Sequence, residues 1–214
     1  MHLLSINIGK RQEINTTKSR QQTTGIFKIP ASGPVTVGEL GLEGDLIANG
    51  KYHGGPDQAV YLYGQADYDF WADELGELIA PGLFGENLTI SGLESGSFNV
   101  GDFLTIGEVR LQVTAPRIPC DKFAARIGDP HFIKKFRDAE RPGLYCRVLQ
   151  TGQIRAGDMV SVERYTGETV SIVEMYCDHY APDNSESALR RFLAAPIDIR
   201  SRVKFEERLG EDRD

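Results

Sequence analysis

Cysteine is scarce in this chain. Three residues in 214, at positions 120, 146 and 177, are widely spaced and odd in number. That argues against a disulfide framework and for a reducing cytoplasm. Long apolar runs are missing too: nothing approaches the ~18 residues of a membrane span, so no membrane partner is expected. The apolar start Met1–Gly9 is followed by Lys10-Arg11 and has no small-residue cleavage site, so it does not read as a signal peptide. There is no P-loop and no serine-nucleophile elbow, and the glycines at 38, 41 and 44 have the wrong spacing for a dinucleotide fingerprint. Basic excess is absent as well. With 24 Lys+Arg against 31 Asp+Glu, the charge of −7 excludes a general nucleic-acid binder.

What remains is ordinary in bulk and uneven in detail. Hydrophobic residues at 40% and charged residues at 26% fit a globular chain of one domain, or one domain with a small appendage. Residues 31–109 carry thirteen acidic side chains and one basic one, Lys51, whereas residues 110–155 carry ten basic and four acidic. That second stretch leaves room for a small anionic ligand, because local fields decide binding.

Up to about residue 165 the pattern is one of short strands between turns. Leu3–Ile8, Val109–Thr114, Leu144–Leu149 and Met159–Val162 are expected strands, with a turn at Thr151-Gly152-Gln153. A helix is expected over Gln65–Leu75, where Tyr68, Trp71, Ala72 and Leu75 share a face and Gly76 stops it; another is expected at Pro130–Asp138. Beyond residue 168 the spacing turns helical. Thr169–Asp178, Ser185–Ala195 (with Asp183 and Glu186 placed as a capping box) and Asp198–Leu209 (with Ile199, Val203 and Leu209 on its apolar face and Gly210 as its cap) make a three-helix appendage. The expected division is 1–167 and 168–214. The amphipathic helices make a homodimer conceivable.

Three segments could carry chemistry. In Pro116-Arg117-Ile118-Pro119-Cys120-Asp121-Lys122, two prolines stiffen a loop that presents Cys120 between cations, which favour the thiolate, a nucleophile or soft metal ligand. The plainer alternative is a buried structural cysteine, which also suits Cys146 and Cys177. In Lys51-Tyr52-His53-Gly54-Gly55-Pro56-Asp57, glycines allow close approach of a ligand, but no second His or Cys-x-x-Cys stands at zinc-ligand spacing; a tight turn with a surface histidine is equally open. Phe84-Gly85-Glu86-Asn87 either binds a polar ligand or ends a strand. His131 and His179 read as surface or capping residues.

Taken in order, Gly41-Leu42-Glu43-Gly44-Asp45, His53-Gly54-Gly55-Pro56-Asp57, Phe84-Gly85-Glu86-Asn87-Leu88 and Pro116-Arg117-x-Pro119-Cys120 resemble the MOSC domain family over nearly the whole chain. The helical C-terminus resembles its YiiM-like branch, associated with resistance to 6-N-hydroxylaminopurine. The resemblance implies a mainly β fold with helices: a closed, pyruvate-kinase-like β-barrel plus a C-terminal three-helix region. It implies the molybdenum cofactor, a molybdopterin, with Cys120 as the metal ligand. By motif position, Lys51, His53, Gly54, Asp57, Gly85, Glu86, Asn87 and Arg117 would line its pocket, with Asp45 a weaker candidate.

The implied activity is that of an oxidoreductase that reduces N-hydroxylated compounds to amines and detoxifies base analogues. Its catalytic residues would be Cys120, His53 and Asp57, with His53, Asp57 or Glu86 relaying protons. No flavin, haem or iron–sulfur motif is present, so a separate reductase would supply electrons. The alternatives are a non-catalytic carrier of the cofactor or of sulfur, and a barrel with a buried cysteine and no cofactor.

Overall fold

A computed structural model describes residues 1–17, 21–50 and 53–211. Among these residues the strands are β1 (Leu3–Gly9), β2 (Gln12–Ile14), β3 (Gln22–Thr24), β4 (Lys28–Pro30), β5 (Val35–Gly38), β6 (Gly41–Leu42), β7 (Val60–Gly64), β8 (Leu88–Ile90), β9 (Phe103–Ile106), β10 (Val109–Pro116), β11 (Leu144–Gln150), β12 (Gly152–Ile154) and β13 (Val160–Glu163). The helices are α1 (Gln65–Leu75), α2 (Asp121–Ile127), α3 (Phe132–Ala139), α4 (Ile172–Tyr180), α5 (Glu186–Ala194) and α6 (Ile199–Glu211).

The main sheet runs β13-β9-β10-β11-β7-β8-β1-β4. Its pairs are antiparallel except β7 with β8, whose parallel pairing needs a crossover, and α1 lies within that connection. The expected closed barrel does not form. β13 and β4 stand at opposite edges, and the starts of β1 and β13 meet over a short stretch: the bridge of His2 with Met159, flanked by bonds from Leu3 N–H to Asp158 O, Gly157 N–H to Leu3 O and Val160 N–H to Met1 O. The contact stops there, where the chain turns at Arg155–Asp158 and Asp158 N–H bonds back to Arg155 O. The expected turn at 151–153 is instead the start of β12, which pairs with β5.

The α1 pattern is realised as expected, with Tyr68 and Trp71 buried. Gly76 sits at φ 70° and its N–H caps Ala72 O. Trp71 packs on Phe132 and Phe136 of α3, with ring centroids 4.8 and 5.8 Å apart, so one aromatic cluster joins the two helices. Cys146 is fully buried in β11, whereas Cys177 is only half-buried, its thiol against Glu140.

The C-terminal segment differs from expectation in detail. Ser185, not Asp183, caps α5 by accepting from Ala188 N–H, and Asp183 accepts from Ser185 N–H one step back. Helix α6 runs through Gly210 rather than stopping before it. Its apolar face is also rotated: Ile199 and Val203 are 56% and 44% exposed, while Phe205 is buried and stacked on Phe192 at 4.6 Å. The cause is the arginines between them, because Arg202 turns inward to Leu193 O and Ala195 O at 2.9 and 3.0 Å.

Two glycines bring three chain segments together beside the sheet. A Cβ at Gly9 would collide with Gly25 O, and one at Gly25 with Leu46 O. Only bare backbone passes there. Leu46 N–H donates to Gly9 O at 2.9 Å, closing the crossing.

Candidate functional site

Beside that crossing lies a cleft open to solvent at its mouth. The two-proline segment leaves β10 and delivers Cys120 to the N-cap position of α2, where the Cys120 carbonyl accepts from Phe123 and Ala124 N–H groups at 2.9 and 3.2 Å. Helix α2 was missed in sequence, because the prolines before it made residues 116–122 read as one loop. Cys120 is half-buried and lines the cleft, as do Lys122 and Arg117.

Arg117 is the unusual member. Its side chain is 5% exposed and makes no hydrogen bond or ion pair among the described residues. Its guanidinium lies over the rings of Tyr61 and Phe123 at 4.7 and 5.1 Å. Arginine stays protonated in proteins, and a buried cation without a counterion is costly. Ring faces offset part of that cost. The rest calls for an anion.

A second arm holds a matched charge. Lys28 and Asp45 form a buried ion pair. Asp45 also accepts from Gly9 N–H at 2.7 Å and from the Asn87 amide at 2.9 Å. Burial lowers the Lys28 ammonium from its usual range, and Asp45 opposes that. Asn87 in turn accepts from Tyr61 N–H at 3.1 Å, which fixes the wall between β7 and β8. Asp45 therefore pairs directly with Lys28, while Arg117 makes no ion pair among the described residues and meets Cys120 and Glu86 only at longer range.

His53 and Gly54 form the opposite wall. Burial, reinforced by the nearby cations Arg117, Arg200 and Lys122, pushes the His53 imidazole down to about 4, so it is neutral at neutral pH. The loop is held from behind by Arg200 of α6, which donates to Gly54 O and Gln58 Oε1, both at 3.0 Å, and to Gly50 O at 3.1 Å. No pattern in the sequence links Arg200 to position 54.

The structure thus brings together Cys120, His53, Gly54, Gly85, Asn87, Arg117 and Asp45. It places two other candidates elsewhere. Asp57 points away from the cleft, paired with Arg147 at 3.0 Å and accepting from Ile199 N–H at 2.8 Å. Glu86 is wholly buried: Oε1 takes the Tyr68 hydroxyl and Gly82 N–H, both at 2.6 Å, and Thr89 Oγ1 at 2.8 Å. Lys51 lies outside the described residues. Tyr61 and Tyr145, strand residues that sequence reading passed over, complete the wall. Gly85 takes φ 75°, and a Cβ there would lie 2.9 Å from Ile26 Cγ1 and 3.3 Å from Arg117 Nη1.

Among the described residues no group of three or more His, Cys, Asp or Glu is placed to hold a metal ion. A protein-only metal centre is therefore not built here. One thiol beside unpaired cations fits a metal that arrives with its own anionic organic ligand, since soft thiolate suits such a metal and cations suit the anion.

Comparison with known proteins agrees with this arrangement. The family model of the MOSC domain matches residues 49–161. "Uncharacterized protein YflK" of Bacillus subtilis (strain 168) is 32% identical over 192 residues, 90% of this chain and 86% of that protein. A protein named "Reductase" from Gibberella moniliformis is 35% identical over 144 residues, 65% of this chain but only 26% of that longer protein. The crystal structure of YiiM from Geobacillus stearothermophilus superposes with a TM-score of 0.79 at 31% identity, covering 97% of this chain and 98% of that one. MOSC domains are generally associated with the molybdenum cofactor. No helix among the described residues is long and apolar enough to cross a membrane. The chain belongs to the MOSC domain family, with YiiM-like proteins among its relatives.

Proposed function

We propose that this protein is a molybdenum-cofactor-dependent reductase that converts N-hydroxylated compounds, N-hydroxylaminopurines among them, to the corresponding amines. The observation that carries the reading is the buried Arg117 guanidinium, which makes no hydrogen bond or ion pair among the described residues, on the same cleft wall as Cys120. The printed name of the Gibberella relative supports the reductive direction. The overall change is RNHOH plus two electrons and two protons to RNH2 plus water. When bound, the cofactor supplies the two-electron removal of oxygen.

The chain's own residues do the rest. Cys120 would hold the metal through its sulfur. Arg117 and Lys122 balance the anionic group and fix its place in the cleft. His53, kept neutral by burial and then by the nearby cations Arg117, Arg200 and Lys122, would gain basicity where a bound anion offsets those cations, and would then hand a proton to the departing hydroxyl. Asp57 and Glu86 have no such access and act as scaffold. The reading assigns electron delivery to a separate reductase.

The test is the molybdenum and pterin content of protein from cells competent in cofactor synthesis, compared between wild type and Cys120→Ser. It is followed by anaerobic turnover of an N-hydroxylated base with a chemical reductant. The reading expects cofactor and amine product in wild type and neither in the variant. A Cys120→Ser protein that keeps both would sink it.

A further inference from the structure

The cleft and the C-terminal helices are joined through residues 49–50 and 53–58. Helix α6 touches them in three ways. Its first N–H, at Ile199, donates to Asp57. Its capping residue Asp198 accepts from Gln58 Nε2 at 3.3 Å. Arg200 then reaches across to the carbonyls of Gly50 and Gly54 and to the Gln58 side chain. Only a planar fork of donors can satisfy acceptors spread over that span; an ammonium is a point charge. Among the described residues no other group bonds the Gly54 carbonyl, and Gly54 itself, at φ 69°, is pressed against Ile47 on the cleft wall.

We infer that Arg200 is a positioning residue for the cleft: by gripping Gly50, Gly54 and Gln58 from α6, it sets where His53 and Gly54 stand and makes the C-terminal helices part of the ligand-binding machinery. The functional half of this inference rests on the cofactor reading given above; the geometric half does not. It follows that the helical appendage contributes to ligand affinity without touching the ligand.

Four proteins test it: wild type, Arg200→Ala, Arg200→Lys and Arg202→Ala. Arg202 lies on the same helix and bonds only within the appendage, so its variant reports loss of helix packing alone. Hydrogen exchange is measured at the His53 and Gln58 amides, which bond to Asn49 O and Gly55 O. In Arg200→Ala, exchange should accelerate about tenfold or more, the expectation for removing hydrogen bonds from a charged donor. Amides of β7 should keep their wild-type rates, and so should both loop amides in Arg202→Ala. Molybdenum and pterin retained after desalting should fall in Arg200→Ala, recover only in part in Arg200→Lys, and recover on adding millimolar guanidinium, which refills the fork.

Wild-type exchange at both amides in Arg200→Ala overturns the inference. So does a loosened loop with full cofactor retention. Equal cofactor loss in Arg202→Ala, with no response to guanidinium, would assign the effect to general destabilisation and overturn it too. If wild type itself carries neither molybdenum nor pterin while the loop still loosens, the cofactor reading fails and the positioning role stands.

Discussion

Removing the Glu86 carboxylate should separate scaffold from chemistry. In Glu86→Ala the Gly82 N–H and the Tyr68 and Thr89 hydroxyls lose the oxygen they share, whereas the Asn7 amide still donates to Thr89 Oγ1 at 3.1 Å. A buried donor left unpaired costs about 1–3 kcal/mol. The loss should therefore be about 2 kcal/mol if re-pairing leaves one donor orphaned and about 6 if none of the three finds a partner. Glu86→Gln keeps an acceptor, and the oxygen it converts to nitrogen, Oε2, has no partner to lose.

The pH dependence fixes the sign. Burial raises the Glu86 carboxyl above its usual value of 4.5, against the opposing hydrogen bonds. The folded protein therefore holds this proton more tightly than the unfolded chain. Wild-type stability from this group is fully present below about 4.5 and declines as pH rises through the folded value. Glu86→Gln has no such slope, so its stability relative to wild type should improve with rising pH. Urea unfolding followed by Trp71, the one tryptophan and a buried one, reads both effects. A Glu86→Ala protein within 1 kcal/mol of wild type, or a Glu86→Gln difference that moves the other way with pH, would refute the reasoning (threshold set at the low end of the orphaned-donor cost).

Three further outcomes are expected. Gly85→Ala should lose about 1–2 kcal/mol from its positive φ and, by displacing Arg117, most of its cofactor, measured as retained pterin. The His53 imidazole should titrate near pH 4 by NMR, and fold stability should fall as pH drops from 6.5 towards 4, because the unfolded imidazole takes up a proton that the folded one refuses. A midpoint at or above 6 would contradict the burial argument. Phe205→Ala should cost about 3–5 kcal/mol in thermal or urea unfolding by emptying the stack on Phe192; a loss under 1 would mean that α6 is not held there.

The sequence was legible where a residue's role is local. Helix α1 could be read to its last residue because its apolar spacing and its glycine stop agree. The four motifs contain part of the cleft lining, among them Asp45, His53, Gly85, Asn87, Arg117 and Cys120. Sequence reading failed where distant partners decide. Arg200 and Arg202 look like surface charges until carbonyls 7 to 150 positions away are seen to take them, and that reversal turned the apolar face of α6 around. Glu86 and Asp57 sit inside cleft motifs, yet their partners, Tyr68, Gly82, Arg147 and Ile199, draw them out of the cleft. Edge pairing is likewise non-local, and a strand pattern says nothing of whether β13 meets β4.

The crossing at Gly9, Gly25 and Leu46 has a consequence for anyone who wishes to retune this pocket. That side of the cleft is main chain, and a side chain at either glycine runs into another segment's carbonyl. Mutagenesis for new substrates therefore has no purchase there. The adjustable positions are at Ile47, Asn49 and Lys122, which line the cleft without forming the crossing. A library confined to Ile47 and Asn49 would vary the shape of the opening and leave its foundation untouched, whereas changes at Lys122 would also test its part in holding an anion.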